Sequence, residues 1–201
     1  ELGIIEREFS VDAGIKEQAN SSRGIYHLTD HFFRFWYAFG FANISQLESG
    51  DVDGVYEYII APALHEFAAL PFEEICREFM QEKQKKNELP FRYTKMGRWM
   101  GKTTVRDNTA ANGVRIAETE IDLLCINRDV KEYLVGECKF KNKPFTYTEY
   151  LNTLAKLAPL KEKAAFHYAL FSANGFDDKL LTEAKTSAVH LYTLEDIVNY
   201  R

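Results

Sequence analysis

Two short alternating stretches, Glu120-Ile121-Asp122 and Glu137-Cys138-Lys139, stand fourteen residues apart and constrain the fold more than any other feature. Residues of strand and turn type fill the interval, so the whole reads as a β-hairpin. Alternation along the first strand places Glu120, Asp122 and Leu124 on one face and Ile121, Leu123 and Cys125 on the other. Tyr133, Val135, Glu137 and Lys139 likewise share a face. With Asp129 and Val130 at the tip, Asp122 falls across from Glu137 and Glu120 across from Lys139. A slip of two residues makes these pairs diagonal but keeps the face.

Two opposed carboxylates repel, and unless water screens them fully they raise one another's pKa or recruit a cation, for which Mg²⁺ is the usual hard-oxygen partner. An ammonium beside such a metal orients an attacking water and offsets charge developing on a phosphate. The same alternation also describes a solvated hairpin face whose Glu and Lys pair loosely across strands.

Hydrophobic residues make up 46% of the 201, enough for a buried core in one medium domain or a domain with an appendage. The three cysteines, Cys76, Cys125 and Cys138, are widely spaced and include no C-x-x-C pair, which argues against a disulfide framework or zinc knuckle and for a reducing cytoplasm. No run of about 18 uncharged apolar residues supports a membrane span, and no basic-then-apolar start supports a signal peptide. The sequence opens at Glu1 without methionine, inside what reads as the end of an element, and is expected to continue a longer protein. A net charge of −5 weighs against a protein that coats nucleic acid. Local charge differs: Phe91 to Arg106 holds no acid and five bases, Arg92, Lys95, Arg98, Lys102 and Arg106, and Lys141 and Lys143 follow Lys139. These are candidate contacts to a phosphodiester backbone, or solvated strand and loop charges.

Strands are expected at Gly3 to Val11 and Arg23 to Thr29, resembling a winged-helix wing, with any recognition helix upstream. Thr29 or Asp30 caps an aromatic helix from His31 to Phe39 that is apolar nearly all round, a pattern expected to be buried between domains. After the break at Gly50 to Gly54 come a short helix over Tyr56 to Ile60 and a longer one from Pro62 to about Gln84. Strands near Tyr93 to Met100, Glu118 to Asn127 and Tyr133 to Phe140 lead to a helix over Thr148 to Leu157, a strand over Phe166 to Ser172, a helix over Asp177 to Lys185, a strand over Val189 to Tyr192 and a closing helix from Leu194. Asn108 to Gly113 is a polar excursion placed to fold over a substrate.

This order, with a helix acid, a strand aspartate and an E-x-K strand, is similar to the PD-(D/E)XK nuclease superfamily, with Glu73, Asp122, Glu137 and Lys139 at the matching positions. Arg23-Gly24-Ile25-Tyr26, Asp30 to Tyr37, Phe72-Glu73-Glu74-Ile75-Cys76, Gly97-Arg98-Trp99 and the two strand motifs together resemble the carboxy-terminal region of the archaeal-type predicted ATPases. That family joins a nucleotide-hydrolysing domain to a winged helix and a nuclease-like domain of unassigned function. The resemblance covers nearly the whole chain and implies an α/β, restriction-endonuclease-like mixed sheet flanked by helices over residues 46–201, preceded by a winged-helix remnant and linking aromatic helix over 1–45. It implies Asp122 and Glu137 holding Mg²⁺ or Mn²⁺, Lys139 positioning water, and Glu73 completing the metal shell or holding its water from the helix. Glu120 stands behind them, and DNA and an upstream ATPase domain are the partners. The alternative it allows is an inactive module for DNA binding or docking. Ile121 stands where the superfamily often has proline. Glu74 competes with Glu73, since adjacent helical residues point about 100 degrees apart; the family position favours Glu73.

Other signals carry less. Gly97 to Thr103 looks like a phosphate-binding loop, but that motif needs glycine at Met96, so no ATP site is expected in this chain. His27 and His31 are four apart without a third ligand, His65, His167 and His190 are isolated, and Cys138 points away from Glu137 and Lys139 as a small core residue.

Overall fold

The computed structural model describes residues 3–19, 24–106, 109, 113–160 and 164–200. Two strands, β1 (Ile5–Glu8) and β2 (Ile25–Leu28), flank a helical turn α1 (Ile15–Gln18) and pair antiparallel, Ile5 with Leu28 through Glu8 with Ile25. Helices follow: α2 (His31–Phe35), continued by a π-helical turn Trp36–Gly40, then α3 (Ile44–Glu48), α4 (Val52–Val55), α5 (Ala61–Phe67) and α6 (Ala69–Lys85). The rest is β3 (Lys95–Arg106), β4 (Val114–Asn127), β5 (Glu132–Lys139), α7 (Tyr147–Lys156), β6 (Ala165–Ser172), α8 (Asp178–Ala184), β7 (Val189–Thr193) and α9 (Leu194–Val198). Strands β3 to β7 form one sheet in sequence order. The first two pairings are antiparallel and the last two parallel.

Strand alternation sends one set of side chains to each face, and helices cover both. Leu123, Cys125, Leu134, Cys138, Ala169 and Phe171 pack under Phe72, Cys76, Phe79 and Met80 of α6, with Ile197 of α9 beside them. On the opposite face Leu124, Ile126, Tyr133 and Val135 meet Leu154 and Leu157 from the end of α7, while Tyr150, Leu170, Leu180 and Val189 bring in α8. The last three helices each start on a side-chain cap: for α7 Thr146 accepts from Glu149 N in a reciprocal box, for α8 Asp177 accepts from Leu180 N, and for α9 Thr193 accepts from Asp196 N. Among the described residues, no helix is long and apolar enough to cross a membrane.

The expected hairpin forms with its tip at Arg128–Lys131, where Asn127 Oδ1 accepts from Asp129 N at 3.1 Å. Its register runs from Asn127 opposite Glu132 to Leu123 opposite Gly136. Strands β3 and β4 are longer than the sequence suggests, pairing out to Arg106 opposite Val114, because polar residues such as Lys102 and Glu118 are cross-strand partners on a solvated stretch. The Asn108 to Gly113 excursion lies largely outside the described residues, and residues 20–23 lie wholly outside them. The phosphate-loop look-alike is part of strand β3, and the indole of Trp99 lies over Gly101, where an added Cβ would run into the ring carbons.

Helix α2 starts where Asp30 accepts from Phe33 N at 2.9 Å. It is not enclosed as expected. Phe39 and Gly40 are buried, and Phe35, Phe39 and Phe67 cluster with ring centroids 5.0–5.8 Å apart, but Phe32, Tyr37 and Phe41 are exposed. A helix packed on one neighbour buries one stripe only, whatever its other sides contain. The long helix expected from Pro62 is two, broken at Ala68, with the proline in the first turn of α5.

Gly136 makes the close approach between β4 and β5 possible, since a Cβ there would sit 2.9 Å from Leu123 Cβ and 3.0 Å from Leu123 Cδ2. Gly136→Ala is expected to cost about 1–3 kcal/mol through overpacking, seen as a lower urea midpoint with an unchanged slope.

Candidate functional site

The β4–β5 ladder stops at Leu123 opposite Gly136, one residue short of Asp122 and Glu137. On its other side, β4 carries a bulge: Gly97 pairs with Leu124 and Trp99 with Ile121, so Asp122 and Leu123 together oppose Arg98. The Asp122 carboxylate takes up the bond that regular pairing would have made, its Oδ2 accepting from Cys138 N at 2.8 Å. The two acids of the sequence motif thus meet where the strands part. Both are buried, Glu137 at 2% exposure.

Glu137 and Lys139 lie on the α7 face, as alternation from Tyr133 and Val135 requires, with Cys138 turned to α6. Lys139 donates to Glu137 Oε1 at 2.7 Å. Lys156, from the last turn of α7, donates to both carboxylate oxygens, at 2.8 and 2.9 Å. Burial, then the neighbouring Glu137 charge, pushes the Asp122 carboxyl up from the usual carboxylate range to about 6, against the bond from Cys138 and the two lysines. Lys139 is raised, because the attraction of Glu137 and Asp122 for its charged form outweighs its burial. Burial lifts the Cys125 and Cys138 thiols, so neither is a poised nucleophile.

Glu73 approaches from α6, on the other face, and is held by bases. Arg98 ion-pairs with it closely, and Arg77, one turn along α6, lies 3.5 Å away. Burial and the Asp122 charge together raise Glu73 to about 7 in spite of these arginines. Arg98 also reaches Glu120 at 3.2 Å and Glu8 of β1 at 3.5 Å, and Arg77 reaches Glu8 at 3.5 Å. One buried guanidinium therefore joins α6, β3, β4 and the amino-terminal hairpin. Glu120 pairs with Met100 and turns to Arg98 instead of facing Lys139 across the hairpin, because the ladder ends before that position. Glu74 contacts His31, at 3.1 Å, and stands apart from the strand acids.

The expected phosphate contacts divide. Arg98 is 9% exposed and committed to carboxylates, so it is not an open cation for a backbone. Lys141 is held by Glu149 at 2.6 Å. Arg92, Lys95, Lys102 and Lys143 are exposed, but Lys95 lies opposite Ile126 and Lys102 opposite Glu118, toward the two ends of β3. Lys156 was missed in the sequence, where its only signal is a charge in the last turn of a helix following the E-x-K strand.

The donor set suits a hard divalent cation in part. Asp122 and Glu137 offer oxygens, and their repulsion, amplified by burial, is what such an ion relieves. Glu73 is not turned to join them, and among the described residues no three His, Cys, Asp or Glu side chains converge on a metal position.

The fold is a mixed five-stranded α/β sheet flanked by helices, with a buried acid pair and two lysines at the parting of two strands. The chain belongs to the family described as archaea bacterial proteins of unknown function (DUF234), which matches residues 36–153. It is 31% identical over 142 residues to the uncharacterized protein MJECL04 of Methanocaldococcus jannaschii, an alignment covering 71% of this chain and 27% of that one. The chain thus spans about a quarter of that relative's length. It is also similar to the crystal structure of a protein of unknown function, AF1548, at 17% identity and a TM-score of 0.36, over 63% of this chain and 65% of that one.

The shift at Asp122 has a direct thermodynamic consequence. Above about pH 4 the unfolded chain releases this proton while the native chain keeps it until about pH 6, so its contribution to stability is full below the first value and lost as pH rises through the second. Asp122→Asn is expected to remove roughly 3 kcal/mol of that decline, read as the difference between wild-type and variant urea curves taken from about pH 4 to pH 7.

Proposed function

We propose that this chain is a metal-dependent nuclease domain of PD-(D/E)XK type acting on DNA, with Asp122 and Glu137 as metal ligands and Lys139 as the ammonium that orients water and offsets charge on the phosphate. The observation that carries the proposal is the pair of buried, mutually repelling carboxylates with a lysine at the point where β4 and β5 diverge. Such an arrangement is unfavourable for folding alone and is characteristic of sites kept for chemistry. A hard divalent cation, Mg²⁺ or Mn²⁺, would there polarise a phosphoryl oxygen and acidify a water. Exposed Arg92, Lys95, Lys102 and Lys143 supply long-range attraction for the nucleic-acid backbone in an otherwise acidic chain. Glu73, held by Arg98, joins the ligand set only if that ion pair opens.

In the same proposal, the β1–β2 hairpin is the wing of a winged-helix segment, and the parent protein carries a nucleotide-hydrolysing domain upstream, as in the archaeal-type predicted ATPases. Three free, buried cysteines fit a cytoplasmic setting.

A second function is favoured by one set of contacts: both oxygens of Glu137 are on lysines and Glu73 is on Arg98, leaving the acids internally neutralised. In that case the domain is a catalytically inactive module that contacts DNA or docks on the rest of its parent chain.

Plasmid nicking separates the two. With Mg²⁺ or Mn²⁺ the wild-type protein is expected to nick supercoiled DNA, with Lys139→Ala and Asp122→Asn slowed on the order of 100-fold or more while their circular dichroism is unchanged. A folded wild-type protein that neither nicks DNA nor binds either ion is the inactive module.

A further inference from the structure

Glu137 is as buried as the apolar core around it, and an ionised carboxylate at such a position requires a counter-charge. Among the described residues two ammonium groups meet it, and they do so differently. Lys139 is two residues along the same strand and touches Oε1 alone, at 2.7 Å. Lys156 comes from a separate element and spans both oxygens, at 2.8 and 2.9 Å, so it takes up the edge of the carboxylate at which both oxygens can be shared. Its side chain is 28% exposed, and its four-carbon stem lies in the last turn of α7, with a way out to solvent.

Charge balance gives this arrangement a consequence. Asp122 and Glu137 carry two negative charges when ionised, and Lys139 and Lys156 two positive ones, so among these four described groups the charges balance. A divalent ion added to all four groups leaves a surplus of two positive charges in a water-poor site. We propose that Lys156 is the resident counter-cation of this site, holding Glu137 in place until a divalent ion displaces it, so that the lysine and the metal compete for one carboxylate. The inference rests on the metal-site proposal for Asp122 and Glu137. It makes Lys156 a positioning residue that sets metal affinity, distinct from Lys139, which stays beside the bound ion.

The test is binding of Mn²⁺ alone, followed by titration calorimetry on the whole chain. Lys156→Met, which keeps the stem and removes the charge, is expected to tighten Mn²⁺ binding by about tenfold or more, and Lys156→Arg to leave it weak. Asp122→Asn is expected to abolish binding in both the wild-type and the Lys156→Met backgrounds. Equal affinity in wild type and Lys156→Met, with both sensitive to Asp122→Asn, overturns the counter-cation and leaves the metal site standing. Binding that Asp122→Asn does not alter, or no binding in any variant, overturns both. If Lys156→Met does not fold, amine acylation of the wild-type chain with mass-spectrometric readout decides instead. Lys156 is expected to acylate several-fold faster in saturating Mn²⁺ than without it, and an unchanged rate overturns the proposal.

Discussion

The neutralisation of Glu137 is the constraint on which the rest of the site depends. Its carboxylate sits within the β5 core run, where every neighbour before it in the strand is apolar or glycine back to Tyr133 and buried Cys138 follows. Burial at that depth is tolerated only because ammonium groups arrive from β5 itself and from α7. The position of α7 is in turn set by apolar contacts, Leu154 and Leu157 against the face built by Leu124, Ile126, Tyr133 and Val135. The hydrophobic core therefore delivers the charge that makes the buried acid possible.

A second charged centre does a different job. Arg98 lies opposite the β4 bulge and gathers Glu73, Glu120 and Glu8 from three separate elements. It fixes α6 and the amino-terminal hairpin relative to the sheet, and it withholds Glu73 from the acid pair. Asp122 is the link between the two centres, since it is felt by Glu73 on one side and by Glu137, Lys139 and Lys156 on the other. Any ligand that changes the charge at Asp122 thus acts on both faces of the sheet at once.

Much of the sheet was legible because it depends on local pattern. Alternation over Leu123 to Ile126 and Tyr133 to Val135 defined the two faces, and the turn at Arg128–Lys131 defined the register that brings Asp122 level with Glu137. The parting of the strands there was not legible, because the bulge lies in the pairing of β4 with β3, where two residues oppose Arg98, and no spacing within β4 records it. Arg98 read as a surface base for the same reason: its burial follows from three acids that are distant in sequence. The aromatic stretch at α2 misled in the opposite sense, since composition says what a helix would bury but not whether a neighbour covers it.

By itself, the sequence determined the order of the strands, the hairpin register and the identity of the acids and lysine on adjoining strands, all of which follow from periods of a few residues. Only the tertiary structure decided which charges meet them. Lys156 on Glu137 and Arg98 on Glu73 are contacts across nineteen and twenty-five residues of chain, made by helices that the apolar core packs on opposite faces of the sheet. Electrostatic partners of buried groups are chosen by that packing, and packing is a property of the whole fold.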